Sequence, residues 1–240
     1  MKTLVLFDID GTLVLTGGAG GRAMTLAFED LFSIPDGFRG IPMPGRTDTR
    51  ILSDAAAIHG IPADSPALDR FPEVYLRHLA REIHTPSPYT LIMPGVTDLL
   101  DALAADDDVY LALLTGNYEA AAQLKLEHFK LWRYFRSGAF GDGAADRNGL
   151  VPKVLARVAG RGGPMFDPEE AVVIGDTPLD VACAAVCCAR SIAVATGNYS
   201  VDDLRAAGAD VVFKDLGDTA AVLQALTEGP ASVRNQKSVV

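Results

Sequence analysis

The chain has 240 residues, of which 49% are hydrophobic, and it carries a formal net charge of −10 at pH 7. This length and hydrophobic content predict a globular protein, with one large domain or a core that carries an insertion. The acidic balance argues against a nucleic-acid-binding surface, which needs a basic patch, and against binding to anionic membranes.

The amino terminus and the cysteines bear on where the protein is found. The first apolar run is about five residues long, which is too short for the core of a signal peptide or for a membrane span. The three cysteines cannot all be paired in disulfides, and this favours a reducing compartment. We therefore expect a cytoplasmic protein.

Five short apolar runs predict the strands of a sheet. Each is rich in Val, Leu, Ile or Ala and ends at a polar turn, as a buried parallel strand does. The runs are 3–7, 109–114, 171–174, 191–195 and 210–213. Helical patterns lie between them, at 96–105, 119–129 and 178–189. This alternation predicts an α/β fold, in which helices cover both faces of a mostly parallel sheet.

The segment 16–92 interrupts this alternation. It has helical patterns at 22–32, 49–59 and 67–83 and no convincing buried strand. Glycines at 17–21 and the stretch 89–94, which ends in Pro94, are expected to act as hinges. We predict an all-helical domain at 16–92, inserted into an α/β core of residues 1–15 and 93–228, with a disordered tail at 229–240.

Polar residues follow three of the predicted strands at the point where each strand ends. In chain order they are Asp8, Asp10, Thr115, Gly116, Asn117, Asp176 and Asp180. Because the carboxyl ends of parallel strands meet at one edge of a sheet, we expect these residues to converge. Carboxylates suit Mg²⁺, and a hydroxyl, N–H donors and a cation suit a phosphoryl group in transfer.

These residues resemble the motifs of the haloacid dehalogenase superfamily, in the same order along the chain. The runs that carry the resemblance are Asp8-Ile-Asp10-Gly-Thr-Leu, Thr115-Gly-Asn, a later basic residue, and Gly175-Asp176-Thr-Pro-Leu-Asp180. The resemblance implies a Rossmann-like core, and the helical insertion looks like the C1 cap of that superfamily. The chain is most similar to the phosphoglycolate phosphatase-type branch, partly because of Gly45-Arg46-Thr47-Asp48.

The resemblance also implies a role for each catalytic residue. Asp8 would attack phosphorus and form an aspartyl-phosphate. Asp10 would be the general acid for the leaving alcohol and then the base for the attacking water. Thr115 would hold phosphate oxygens, together with the N–H groups of Gly116 or Asn117.

A magnesium ion is the cofactor that the resemblance implies. Its ligands would be the side chains of Asp8 and Asp176 and the backbone carbonyl of Asp10. Asp180 would orient the water shell of the metal from behind the direct ligands.

The basic residue of the third motif is open between Arg147 and Lys153. Members of the superfamily usually have a Lys-Pro pair there, and this chain has none. Arg147 precedes the predicted helix start at Val151 by about the usual interval, whereas Lys153 falls inside that helix. An arginine can bind a carboxylate or a phosphate through two bonds, so we favour Arg147.

Arg46, in the predicted cap, has two readings. It would either be solvated or reach into the cleft and pair with a substrate carboxylate or a second phosphate.

The resemblance predicts phosphate-ester chemistry. Dehalogenases of the superfamily lack an acid at the position of Asp10, and phosphonatases need a cap lysine, which 16–92 does not contain. We expect a magnesium-dependent phosphatase for a small phosphorylated metabolite, of which phosphoglycolate is typical for the branch. The alternatives are a β-phosphoglucomutase-type phosphomutase and a non-catalytic binding protein on the same fold. The sequence predicts no oligomeric state.

Overall fold

A computed structural model of the chain describes residues 2–227, and the predicted tail at 229–240 lies outside this range. The strands in the described range are β1 Thr3–Phe7, β2 Val14–Thr16, β3 Thr90–Ile92, β4 Val109–Leu114, β5 Ser137–Ala139, β6 Ala171–Gly175, β7 Arg190–Val194 and β8 Val211–Phe213. The helices are α1 Ala19–Phe32, α2 Asp48–Ile58, α3 Pro66–Asp69, α4 Phe71–Glu82, α5 Val96–Ala104, α6 Glu119–His128, α7 Leu150–Gly160, α8 Pro178–Val186, α9 Val201–Ala206 and α10 Thr219–Thr227.

Six strands form a parallel sheet in the order β5-β4-β1-β6-β7-β8. The first strand lies in the middle, where Phe7 pairs with Leu113 of β4 and with Ile174 of β6. The three strands therefore end side by side, as the sequence predicted. The edge strand β5 was missed, because its sequence Ser-Gly-Ala has no apolar run that marks a strand.

Apolar side chains cover both faces of the sheet. Val5 and Phe7 of β1 pack in one buried cluster, with residues of α5, α6 and α10. Leu4 and Leu6 point to the other face and pack against α7 and α8. Successive strand residues alternate between faces, so an apolar run without alternation requires burial on both sides. The predicted α/β fold is confirmed.

The helices α1 to α4, called the inserted helices below, pack around a buried core to which Tyr118 and Ala121 at the start of α6 also contribute. Phe28 of α1 and Phe71 of α4 belong to this core, which is separate from the clusters on the sheet. The predicted helix at 67–83 is interrupted at Arg70. Pro72 lies in the first turn of α4. Proline is favoured there because the backbone N–H groups of a first turn have no carbonyl acceptor within the helix, so the N–H that proline lacks is not missed.

The connections between the sheet and the inserted helices differ from the prediction. The strands β2 and β3 pair antiparallel, Val14 with Ile92 and Thr16 with Thr90, although no strand was expected at 16–92. Three-residue strands are too short to show a periodic pattern. The helix α1 begins at Ala19, inside the segment 17–21 that was expected to act as a hinge. Gly17 and Gly18 precede the helix, with φ values of 60° and 79°.

We propose that residues 1–15 and 93–228 form the α/β core and that residues 16–92 form the inserted domain. None of the helices in residues 2–227 combines the length and the apolar character that a membrane crossing requires.

Candidate active site

A cavity of about 280 Å³ lies between the carboxyl edge of the sheet and the inserted helices. The turn after β1 and the ends of β4 and β6 form its floor, and the start of α1 and the segment 43–48 form its roof. In open α/β sheets this edge is where ligands bind. The predicted site residues that line the cavity are Asp8, Asp10, Arg46, Thr115, Gly116, Asn117, Arg147 and Asp176.

Three buried carboxylates, those of Asp8, Asp176 and Asp180, form what we call the acidic cluster. One oxygen from each lies within 4.8 Å of the other two. Burial, together with the charges of Asp8 and Asp180, raises the pKa of Asp176 to about 8. Burial also raises the pKa of Asp180 to about 6, although the charge of Arg147 acts in the opposite direction. The positive charge of Arg147 therefore does not fully neutralise the acidic cluster.

The acidic cluster fits a divalent cation. Carboxylate oxygens are the hard ligands that Mg²⁺ and Ca²⁺ take in proteins. Thr12 Oγ1 donates a hydrogen bond of 3.0 Å to Asp176 Oδ1 and so orients this carboxylate. A Cβ atom at Gly11 would lie 2.4 Å from Asp176 Oδ2, and one at Gly197 would lie 1.8 Å from it. Glycine at these two positions therefore leaves the space that the buried Asp176 carboxylate occupies.

Asp180 is fixed by the local sequence at the start of α8. Thr177 caps this helix, and its hydroxyl donates to Asp180 Oδ2 at 2.7 Å while its backbone N–H donates to the same oxygen at 3.1 Å. Pro178 occupies the first turn. The sequence Thr-Pro-Leu-Asp is thus a capping box, which holds the carboxylate at the end of β6.

Arg147 is the buried cation of the site. Its Nη2 atom lies 3.0 Å from Asp8 Oδ1, contacts Asp180 Oδ1 and donates to the backbone oxygen of Leu114 at 2.9 Å. Burial alone would lower the pKa of Arg147, but the Asp180 and Asp8 carboxylates raise it above its ordinary value. Lys153, the other predicted cation, is exposed on α7 and does not line the cavity.

The loop 115–117 connects β4 to the start of α6. Asn117 Nδ2 donates to Thr115 Oγ1 and to Asp10 Oδ2, both at 2.8 Å. Gly116 lies directly below the roof, since a Cβ atom there would come within 2.1 Å of the backbone oxygen of Arg46. The loop thus links the turn after β1 to the roof of the cavity.

Arg46 lies in the roof of the cavity and is paired in this structure. Its Nη2 atom forms an ion pair of 2.7 Å with Asp54 of α2, and its Nη1 atom donates to the backbone oxygen of Pro42 at 3.2 Å. The side chain is 22% exposed. Arg46 thus places a positive charge at the cavity, on the side of the inserted helices.

Sequence reasoning missed Lys125, which lies on α6 and lines the cavity. Its ammonium group contacts both oxygens of the Asp10 carboxylate, at 2.6 and 2.9 Å. The side chain of Asp10 is thus directed to Lys125, and Asp10 is not among the carboxylates of the acidic cluster. The sequence did contain one indication of this position. Residues three or four apart lie on the same face of a helix, and Lys125 has this spacing from Ala121 and Ala122, which are on the buried face of α6.

Asp48 joins the inserted helices to the loop 115–117. The sequence analysis did not predict this connection. The N–H of Asp48 donates to the backbone oxygen of Gly116 at 2.7 Å, and Asp48 Oδ2 accepts from the N–H of Tyr118 at 2.9 Å. Thr47 Oγ1 donates to the backbone oxygen of Ala144 at 2.7 Å. Burial raises the pKa of Asp48 to about 7.

The fold and this site define a class of proteins. A sequence profile of haloacid dehalogenase-like hydrolases matches residues 5–185, from β1 to α8. The match includes the acidic cluster, the loop 115–117 and Arg147. The chain belongs to the haloacid dehalogenase-like hydrolase family.

Individual proteins resemble the chain over nearly its whole length. Phosphoglycolate phosphatase of Rhodospirillum rubrum is 30% identical, in an alignment that covers 96% of this chain and all of the relative. A Dickeya dadantii protein that carries the name "Probable phosphatase IndB" is 29% identical, over 97% of this chain and 99% of the relative. A solved structure of a hydrolase from Pseudomonas syringae has the same fold, with a TM-score of 0.69, 22% identity, and coverage of 95% of this chain and all of that one.

Proposed function

We propose that the protein is a magnesium-dependent phosphatase that hydrolyses a small phosphorylated metabolite through an aspartyl-phosphate on Asp8. The observation that carries this proposal is the ion pair between Asp8 and Arg147, next to a carboxylate cluster that fits a divalent cation. The 30% identity to a protein named phosphoglycolate phosphatase supports it and makes phosphoglycolate the first substrate to test.

The first chemical step transfers the phosphoryl group to the protein. An oxygen of Asp8 attacks phosphorus, and the bond from phosphorus to the alcohol oxygen breaks as Asp10 gives that oxygen a proton. Arg147 balances the charge of Asp8 and of the phosphate. The Thr115 hydroxyl and the N–H groups of Gly116 and Asn117 hold the phosphate oxygens.

The second step releases phosphate. Asp10, now ionised, takes a proton from a water molecule, which attacks phosphorus and breaks its bond to Asp8. Magnesium, held by the side chains of Asp8 and Asp176 and the backbone carbonyl of Asp10, would supply charge neutralisation to the phosphate. Asp180 would orient the water around the metal.

Added Mg²⁺ is expected to raise the melting temperature by about 5–10 °C at 100 times its dissociation constant, because binding to the folded state alone stabilises that state. Differential scanning calorimetry with Mg²⁺ and then with excess EDTA measures this shift. The variant Asp176→Asn should lose most of it, whereas Asp202→Asn, at an exposed position, should keep it. A melting temperature that does not respond to Mg²⁺ would contradict the metal site.

Arg46→Ala is expected to raise the KM for phosphoglycolate about tenfold or more and to change kcat little, because Arg46 would pair with the second anionic group of the substrate. The KM for ethyl phosphate, which has no second anionic group, should change less than about twofold. Arg50→Ala is a matched control, since Arg50 also pairs with Asp54 but does not line the cavity. An unchanged KM for phosphoglycolate in Arg46→Ala, or a KM that rises by the same factor for both esters, would exclude Arg46 from binding the second anionic group.

The proposed function is tested by phosphate release from a panel of phosphorylated metabolites, with Mg²⁺ and with EDTA. Release that depends on Mg²⁺ supports the phosphatase. Isomerisation of a sugar phosphate without release would instead indicate a β-phosphoglucomutase-type phosphomutase. No turnover of either kind would indicate a non-catalytic binding protein on this fold.

We also propose a cytoplasmic location. The cysteines Cys183, Cys187 and Cys188 are all free thiols in the structure, as expected for a protein of a reducing compartment.

A further inference from the structure

Lys125 carries a buried charge that the proposed reaction does not use directly. It lies on α6, between the buried residues Ala121, Ala122 and Leu126, and its side chain is 5% exposed. A buried ammonium group loses its hydration and must find partners in the protein. The partners of Lys125 therefore show what its charge does.

All three donors of the ammonium group are used by two residues of the site. Lys125 Nζ donates to Asp10 Oδ2 at 2.6 Å, to Asp10 Oδ1 at 2.9 Å and to Asn117 Oδ1 at 2.6 Å. A lysine ammonium has three hydrogens to donate. Lys125 is thus saturated by the protein, and this argues against a role as a binding group for substrate phosphate.

Asn117 completes the arrangement from the other side. Its amide nitrogen donates to Asp10 Oδ2 at 2.8 Å while its amide oxygen accepts from Lys125. Both oxygens of Asp10 are therefore held, although this side chain is 43% exposed to the cavity. A half-exposed aspartate without such partners would rotate freely about its side-chain bonds.

The inserted helices close over this group. A Cβ atom at Gly20 of α1 would lie 3.4 Å from Lys125 Nζ and 3.6 Å from the hydroxyl of Tyr75. The start of α1 thus packs close to the ammonium group. The ammonium group of Lys125 is therefore shielded from water, whereas the Asp10 carboxyl group stays open to the cavity.

We propose that Lys125 is a positioning residue, which holds the Asp10 carboxyl group in the orientation in which it exchanges a proton with the leaving alcohol. The inference rests on the proposed function, in which Asp10 is the general acid. A displacement of the order of 1 Å in such a group costs about 10²-fold in rate. Lys125 would then act on the reaction through Asp10 alone.

The test compares two esters that differ in their need for an acid. Ethyl phosphate releases a strongly basic alkoxide and needs the proton, whereas p-nitrophenyl phosphate releases a stable phenolate and does not. In Lys125→Met we expect kcat for ethyl phosphate to fall about 10²-fold, and kcat for p-nitrophenyl phosphate to fall less than about fivefold. Lys214→Met, at an exposed lysine outside the cavity, is the matched control and should change neither rate.

A double-mutant cycle identifies the residue through which Lys125 acts. In the Asp10→Asn background, Lys125→Met should not lower the rate for ethyl phosphate further, because the acid is already absent. Thermal melting of each variant confirms that it is folded.

Three outcomes would overturn this inference and leave the proposed function in place. An equal fall for both esters would show that Lys125 supports the site as a whole, and an unchanged rate for ethyl phosphate would show that Asp10 needs no positioning. Additive effects of the two substitutions would show that Lys125 acts independently of Asp10. A wild-type protein that releases phosphate from neither ester would overturn the proposed function together with this inference.

Discussion

Replacing Asp8 by Asn is expected to lower kcat by at least about 10³-fold, since an amide cannot serve as the nucleophile in the proposed double displacement. The two side chains have nearly the same shape, so the substrate should still bind. Phosphate release, measured with the best ester of the panel and saturating Mg²⁺, gives the ratio of the two rates.

This loss of turnover should occur without a loss of folding stability. The charge of Asp8 raises the pKa of both Asp176 and Asp180, and its removal relieves repulsion within the acidic cluster. Asp8→Asn also removes one of the two carboxylate partners of Arg147, but Arg147 keeps its contact with Asp180. The two effects oppose each other, so the melting temperature of Asp8→Asn without metal should stay close to that of the wild type. Asp98→Asn, at an exposed aspartate of α5, is the matched control for turnover. A kcat of Asp8→Asn within tenfold of the wild type would rule out the aspartyl-phosphate.

Arg147→Met is expected to lower both activity and stability. It leaves the buried carboxylates of Asp8 and Asp180 without their cation, and breaking a buried ion pair in this way costs about 3–5 kcal/mol of unfolding free energy. Arg147 would also contact the transferring phosphate, so kcat/KM should fall by about 10²-fold or more. Urea denaturation and phosphate release measure the two effects.

The exposed Lys153 provides the control for this prediction. Lys153→Met should change the unfolding free energy by less than about 0.5 kcal/mol and should leave kcat/KM unchanged. A large loss of activity in Lys153→Met, with little loss in Arg147→Met, would assign the phosphate-side cation to Lys153. Arg147 would then be a structural partner of Asp8 and Asp180 only.

The sequence predicted those parts of the protein whose signal is local. The buried run of β1 and the turn at Asp8 and Asp10 are adjacent in sequence, and so are β6 and the capping box at Asp180. Parallel strands have their carboxyl ends at one edge, so the convergence of these motifs followed from the strand assignments alone. Burial on both faces of the sheet kept those runs continuously apolar.

The parts that could not be predicted depend on contacts between distant segments. Lys125 reaches Asp10 across 115 positions of sequence, and α6 also carries Glu119 and Glu127, so the charge of Lys125 does not stand out within the helix. Asp48 contacts the loop 115–117 through a hydrogen bond between backbone groups, and such a bond does not depend on the types of the residues. The strands β3 and β5 have three residues each, too few for a pattern.

Transfer of the phosphoryl group to Asp8 can be observed by rapid-quench mass spectrometry of the Asp10→Asn variant with p-nitrophenyl phosphate. This ester can transfer its phosphoryl group without a general acid, whereas the second step lacks its base, so the intermediate should accumulate. We predict one phosphoryl group on the peptide that contains Asp8, and none when Asp8 is also replaced by Asn. Release of p-nitrophenol while no peptide carries a phosphoryl group, or while another residue carries it, would rule out Asp8 as the nucleophile.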